Sequence, residues 1–155
     1  MDKTCCFIGH RTVEKGEQWE SRLLQQIEEM ICRAGVDTFL FGSKSEFDTL
    51  CLDLMNRMKK KYPHIKRIYV RAEYPDIDEG YRRYLLQRYE ETYFPEKIKG
   101  AGRAVYVERN YEMIDRSRYC IFYYDEKCSS DKHKSGTAIA LQYARQKKKE
   151  IIYFP

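Results

Sequence analysis

The chain has 155 residues, 43% of them hydrophobic and 34% charged, with 29 Lys+Arg against 24 Asp+Glu for a net charge of +5. That length suits one domain spanning residues 1–155, since domains commonly run to roughly 100–150 residues. The mixed charges and 14% aromatic content exclude disordered and collagen-like classes, and no run approaches the roughly 20 apolar residues that span a bilayer.

The opening Met1–Cys6 passes straight into an apolar run, with no basic region or small-residue cleavage site. No secretory signal is expected, and the chain is expected in the cytoplasm. Its six cysteines (Cys5, Cys6, Cys32, Cys51, Cys120, Cys128) are then expected to stay reduced, most of them as small hydrophobes in apolar runs. No CxxC pair occurs, so no metal site is expected.

Thr4–Ile8 reads as a buried strand ending at Gly9. From Gln18 to Ala34, Trp19, Leu23, Leu24, Ile27, Met30 and Ile31 recur at helical spacing, and Gly35 stops the helix. Thr38–Phe41 is the second strand. Phe47–Lys61 is the second helix, with Leu50, Leu54, Met55 and Met58 on its inner face, and Ile65–Val70 is the third strand. Asp78–Tyr93, rich in Tyr and Arg, reads as helical. Ala104–Val107 reads as a short strand, Tyr111–Arg116 as a short helix and Tyr119–Tyr124 as a buried strand. Thr137–Lys148 is a helix and Glu150–Phe154 a last strand. Such alternation predicts an α/β fold, a parallel sheet of about five strands with helices on both faces.

Two basic runs, Lys59–Lys61 and Arg145–Lys149, fall where helices are expected to end, and the helix dipole favours cations there. Solvated helix ends and a nucleic-acid footprint are the two readings of this charge.

Ligands of parallel sheets bind beyond the carboxyl ends of the strands, so the residues after each strand are the candidates. Gly9-His10-Arg11 follows the first strand and combines a turn-permitting glycine, a donor or acceptor ring and a phosphate-binding fork. Gly42-Ser43-Lys44-Ser45-Glu46-Phe47-Asp48 follows the second and leads into a helix N-terminus, where free N–H groups attract anions. Ser45 as a simple helix cap is the competing reading. Glu108-Arg109-Asn110 sits before the short helix. Asp125 ends the fourth buried strand, and Ser135-Gly136-Thr137 opens the last helix. Neither GxGxxG after the first strand nor a P-loop is present.

The same positions carry a resemblance. Cys5-Cys6-Phe7-Ile8-Gly9-His10-Arg11 resembles the opening signature of the YpsA-like branch of the SLOG superfamily, short stand-alone bacterial proteins related to DprA and the LOG proteins. Phe39–Asp48 is similar to that branch's second-strand motif, although Ser43 and Glu46 stand where glycines are usual. Arg109-Asn110 with Met113–Ser117 resembles its RN-x-x-M-V-D-x-S helix, and Ser135-Gly136-Thr137 through Arg145 resembles SGT…YA. The resemblance covers essentially the whole chain and implies a Rossmann-like fold whose strand-end loops bind a nucleotide-derived ligand. Some LOG relatives cleave nucleoside monophosphates with a glutamate where this chain has Ala140, so the resemblance implies binding without that hydrolysis.

Three functions follow as expectations. The first is a binding or sensing domain for a nucleotide, NAD or ADP-ribose-like ligand, with no cofactor required. Its site would comprise Gly9, His10, Arg11, Gly42, Ser43, Lys44, Asp48, Arg109, Asn110, Ser135, Gly136 and Thr137. The second is a nucleotide-cleaving hydrolase using Asp48, Asp115 or Asp125 with His10 as acid or base. The third is a single-stranded nucleic-acid or protein interaction module. It rests on Tyr81, Tyr84, Tyr89 and Tyr93 interleaved with Arg82, Arg83 and Arg88. A lid or a homo-oligomer contact is the blander use of that segment.

Overall fold

The computed structural model describes residues 2–10, 13, 15–124 and 136–154. Arg11, Asp125, Cys128 and Ser135 from the sequence reading lie outside the described residues.

The first strand, β1 (Thr4–Gly9), alternates Cys5 and Phe7 toward one face and Cys6 and Ile8 toward the other, all buried. Both faces of the sheet are covered, which is why the strand is apolar throughout rather than alternating with polar residues. Helix α1 (Glu17–Arg33) buries Trp19, Leu23, Ile27, Met30 and Ile31, one stripe at helical spacing. It stops at Gly35, whose φ of 70° is left-handed backbone that costs a glycine little.

Strand β2 (Thr38–Phe41) leads into α2 (Glu46–Lys61), where Ser45 accepts the Asp48 N–H. The lysines of its last turn are used locally, as helix-end charge suggests. Lys59 donates to the Pro63 and Ile65 carbonyls at 2.7 and 2.6 Å, and Lys61 pairs with Glu28 at 2.7 Å. After β3 (Lys66–Val70) come α3 (Glu79–Leu86), β4 (Glu91–Tyr93), α4 (Val105–Asp115), β5 (Tyr119–Tyr123), α5 (Gly136–Gln146) and β6 (Glu150–Phe154).

The sheet has six parallel strands in the order β4-β3-β2-β1-β5-β6. The α/β, Rossmann-like architecture read from the sequence therefore holds, with six strands instead of about five. Helices α1, α2 and α3 pack on one face, over Phe7, Phe39, Phe41, Tyr69 and Tyr123. On the other face α4 and α5 cover Cys6, Ile8, Leu40, Val70 and Phe122. Cys5, Cys6, Cys51 and Cys120 are buried, and burial pushes the first three well above the usual thiol range, so they remain protonated core residues. Cys32 is exposed.

Three local expectations change. Asp78–Tyr93 is not one helix: α3 ends at Leu86, and the chain returns as the edge strand β4, paired with β3 from Ile68↔Glu91 to Val70↔Tyr93. Only Leu85 of α3 is buried, so no apolar stripe carries the helix onward. Instead Tyr89 inserts against Tyr69 and Phe41, and Glu90 N–H bonds to the Arg67 carbonyl at 2.8 Å. Ala104–Val107 is not a strand but a tight turn running into α4. The predicted short helix at Tyr111–Arg116 is thus the second half of an 11-residue one. The deciding pattern is Arg109, Glu112 and Met113, all buried at spacings of three and four, which a helix can place on the sheet and an extended chain cannot.

Candidate functional site

The chain steps outward from β1 to β4 and then returns to place β5 on the other side of β1. At that reversal the helices following β1 and β5 lie on opposite faces, and a crevice opens beyond the strand ends. A cleft of about 870 Å³ occupies this position, lined by residues of β1 and β3, the loops that follow β1, β2 and β3, one face of α4, Tyr81 of α3 and the first turns of α2 and α5. It brings together Gly9, His10, Gly42, Ser43, Lys44, Asp48, Arg109, Asn110, Gly136 and Thr137, which are every described residue of the expected ligand site. Asp115 is not among its lining residues. That carboxylate lies at the far end of α4, where it accepts from Tyr143 at 2.7 Å and from Lys97 at 3.1 Å.

The loop between β2 and α2 satisfies itself. Asp48 Oδ2 accepts from the Gly42 and Ser43 N–H groups at 3.2 and 2.9 Å, and Ser45 Oγ accepts from Asp48 N–H at 3.1 Å. The capping reading of Ser45 is therefore the one observed. Two N–H groups that could have received an external anion instead hold an internal carboxylate. Asp48 is 3% exposed, and its Oδ1 is enclosed without a hydrogen-bond partner among the described residues. Burial raises its pKa from 3.8 to about 6, against the lowering effect of the two N–H bonds and the nearby Arg109 charge. Glu46 is also committed, accepting from Val13 N–H at 2.8 Å and so tying the β1–α1 connection to α2.

Glycine at the two strand ends serves close packing. A Cβ on Gly9 would come within 2.3–2.9 Å of the Phe47 side chain. One on Gly42 would meet Met113 Sδ at 2.6 Å and Arg109 Cδ at 2.7 Å. Gly42 thus admits α4 to the sheet edge and sets Arg109 beneath the cleft.

Arg109 is 5% exposed. Its Nη1 donates to the Gly42 carbonyl and its Nε to Asn110 Oδ1 at 3.0 Å, while Nη2 makes no hydrogen bond among the described residues. The guanidinium lies 5.9 Å from the Tyr106 ring centre. A second buried guanidinium, Arg71, is 9% exposed and donates to the Tyr74 carbonyl, the Pro75 carbonyl and Thr92 Oγ1 at 3.1–3.2 Å. Burial lowers both pKa values, yet a guanidinium stays charged at any physiological pH. Neither has a carboxylate oxygen within 4.0 Å among the described residues. By contrast Arg67, equally buried, pairs with Glu90 at 2.9 Å. Lys44 adds an exposed ammonium at the cleft mouth.

Sequence reasoning missed the β3 side of the cleft, formed by Tyr69, Arg71, Ala72, Glu73 and Tyr74, and missed Tyr106. Tyr81, expected on a stacking surface or lid, packs its ring against Tyr74 on that same side. The signal was present: Arg71–Tyr74 directly follow β3, so the strand-end rule points to them as it does to Gly9 and Gly42. Tyr106 was hidden by the strand reading of Ala104–Val107. As a helix, α4 presents Tyr106, Arg109, Asn110 and Met113 to the cleft at i, i+3, i+4 and i+7.

The Tyr/Arg-rich segment does not form one surface. Tyr89 is stacked on Tyr69 in the core, and Tyr93 donates to Glu112 at 2.9 Å on the opposite face of the sheet. Tyr81 lines the cleft and Tyr84 is 47% exposed beneath Arg88. Ala140 is 1% exposed in the core beneath α5, a methyl packed on the sheet. Among the described residues no cluster of three or more His, Cys, Asp or Glu is placed to hold a metal, and no helix is long and apolar enough to cross a membrane.

No protein-family model matches this chain, and no curated protein matches it at a significant level.

Proposed function

We propose that this protein binds a small phosphorylated, nucleotide-like ligand in the strand-end cleft, without chemistry of its own. The observation that carries the reading is the pair of buried guanidiniums, Arg71 and Arg109, lining one cleft with no carboxylate oxygen within 4.0 Å among the described residues. A buried cation without a direct ion-pair partner is costly. Asp48 offsets the Arg109 charge only from beyond 4.0 Å, and an anionic ligand offsets the remainder. The open Nη2 of Arg109 suits a phosphate oxygen, and Lys44 supplies a second contact at the mouth. Tyr74 and Tyr106, 52% and 49% exposed, offer aromatic faces for a base. The cleft volume of about 870 Å³ falls within the range of small-molecule sites.

The motif resemblance supports the same reading, and the proposal extends to membership of the YpsA-like branch. The non-catalytic part rests on Ala140, and on Asp48 being occupied in bracing the β2–α2 loop.

The test is a thermal-shift panel of nucleoside mono-, di- and triphosphates, NAD and ADP-ribose at millimolar concentration. A ligand at about 100 times its Kd adds roughly 2.7 kcal/mol, which raises Tm by about 5–10 °C for a chain this size. Lys44→Ala is expected to reduce the rise. A flat panel overturns the proposal, and release of free base detected by chromatography overturns its non-catalytic part.

A further inference from the structure

Three carboxylates line the cleft, and two are already committed. Asp48 holds the Gly42 and Ser43 N–H groups with Oδ2 and encloses Oδ1, and Glu46 holds Val13. Glu73 is different. It is exposed, it follows β3 by three residues, and it stands at the rim with Tyr74 beside it and Tyr106 opposite. Its Oε1 accepts the Tyr106 O–H at 2.5 Å, which fixes the side chain, while Oε2 makes no hydrogen bond among the described residues.

A carboxylate is an acceptor only. Beside a phosphate it would repel. Glu73 lies at the β3 end of the cleft. Arg71 lies at that same end, but its guanidinium is spent on the Tyr74 and Pro75 carbonyls and on Thr92 Oγ1. Lys44 and the Gly42 carbonyl that holds Arg109 lie at the β2 end. Among the described residues the uncommitted cationic donors of the cleft, Lys44 and Arg109 Nη2, therefore lie toward its β2 end, and its uncommitted carboxylate oxygen lies toward the β3 end between two exposed tyrosines. A molecule matching that order carries an anion, then hydroxyl donors, then a flat ring.

We infer that Glu73 is the sugar-reading residue of this cleft, accepting hydrogen bonds from a 2′,3′-diol so that ribonucleotides bind in preference to deoxyribonucleotides. The inference rests on the nucleotide reading above. Selection follows because a bound sugar covers Glu73 Oε2, and one lacking the hydroxyls gives that oxygen no donor in place of the water it displaces.

The experiment is calorimetric titration of the full chain with AMP, 2′-deoxy-AMP and 2′,3′-dideoxy-AMP, and with the three guanine counterparts. Wild type is expected to prefer the ribonucleotide over the dideoxynucleotide roughly ten-fold or more for both bases, the scale of one hydrogen bond to a charged group. Glu73→Ala, an exposed change whose folding a thermal melt verifies, is expected to bring that ratio below about three-fold. Measurable affinity with no sugar preference overturns the Glu73 assignment and leaves the nucleotide reading standing. A preference that survives in Glu73→Ala also overturns it, as does a Glu73-dependent preference for guanine over adenine regardless of sugar. Binding of none of the six at millimolar concentration overturns the assignment together with nucleoside monophosphates as ligands, while a thermal shift from another member of the earlier panel would keep the broader reading alive.

Discussion

Asp48→Asn isolates the cost of a buried carboxylate. In the folded chain its pKa is displaced from 3.8 to about 6, chiefly by burial. At about 1.4 kcal/mol per pH unit, that gap corresponds to roughly 3 kcal/mol. The sign follows from proton counting. Below pH 4 both folded and unfolded states hold the proton, and the group is neutral in its effect. Between about pH 4 and 6 the folded state keeps a proton that the unfolded state has lost, so this group's contribution falls as pH rises, reaching its full deficit above about pH 7. Asparagine retains an oxygen for the Gly42 and Ser43 N–H groups and never ionises. Near pH 4 the variant should match wild type, less the 1–3 kcal/mol cost of an amide N–H₂ placed where Oδ1 has no partner. By pH 7.5 it should have gained roughly 3 kcal/mol on wild type, about 6–12 °C in Tm. Melts at half-unit intervals from pH 4 to 8 measure the difference, followed by fluorescence of the single tryptophan, Trp19, which is buried against Phe47 and Tyr123. Differencing removes the opposite trend from Glu90 and Glu112, whose pKa values are lowered. Stability curves that run parallel over the whole range would refute the reasoning.

Gly9→Ala is expected to destabilise the chain by about 1–3 kcal/mol through overpacking on Phe47, read as a lower urea midpoint at unchanged slope. Ser45→Ala removes the α2 cap and should cost about 0.5–2 kcal/mol by the same measurement. Affinity for NAD, whose phosphates stay ionised throughout, should increase as pH falls from 7.5 to 5.5, because protonating Asp48 unmasks the Arg109 charge. A calorimetric Kd that is level or weakens over that interval contradicts this coupling. Arg109→Lys should weaken NAD binding at least ten-fold by the same titration, since an ammonium cannot both hold the Gly42 carbonyl and reach the ligand as a fork does.

Much of this molecule is local enough to be legible in the chain itself. Short apolar runs identify β1, β2, β3 and β5 and period-3.6 patterns identify α1 and α2, and the strand-end rule leads to Gly9, His10, Gly42, Ser43, Lys44, Gly136 and Thr137 in one cleft. Arg109 and Asn110 were found as well, though as residues of a loop and not of the middle of α4. The failures share a cause. Strand β4 exists because Glu91–Tyr93 finds the free edge of β3, a pairing across more than twenty residues that no local period encodes. Ala104–Val107 has the composition of a strand, but α4 wins because a helix alone puts Tyr106 and Arg109 on the cleft while burying Glu112 and Ile114.

The uses of individual groups were likewise decided by neighbours distant in sequence. Composition determined that Gly42 would be small and Asp48 acidic. Only the tertiary structure decided that the glycine makes room for Arg109 and Met113. It also decided that the carboxylate takes up the N–H groups an anion would have used. A residue type sets which interactions are available, and packing against the rest of the chain determines which of them are already taken.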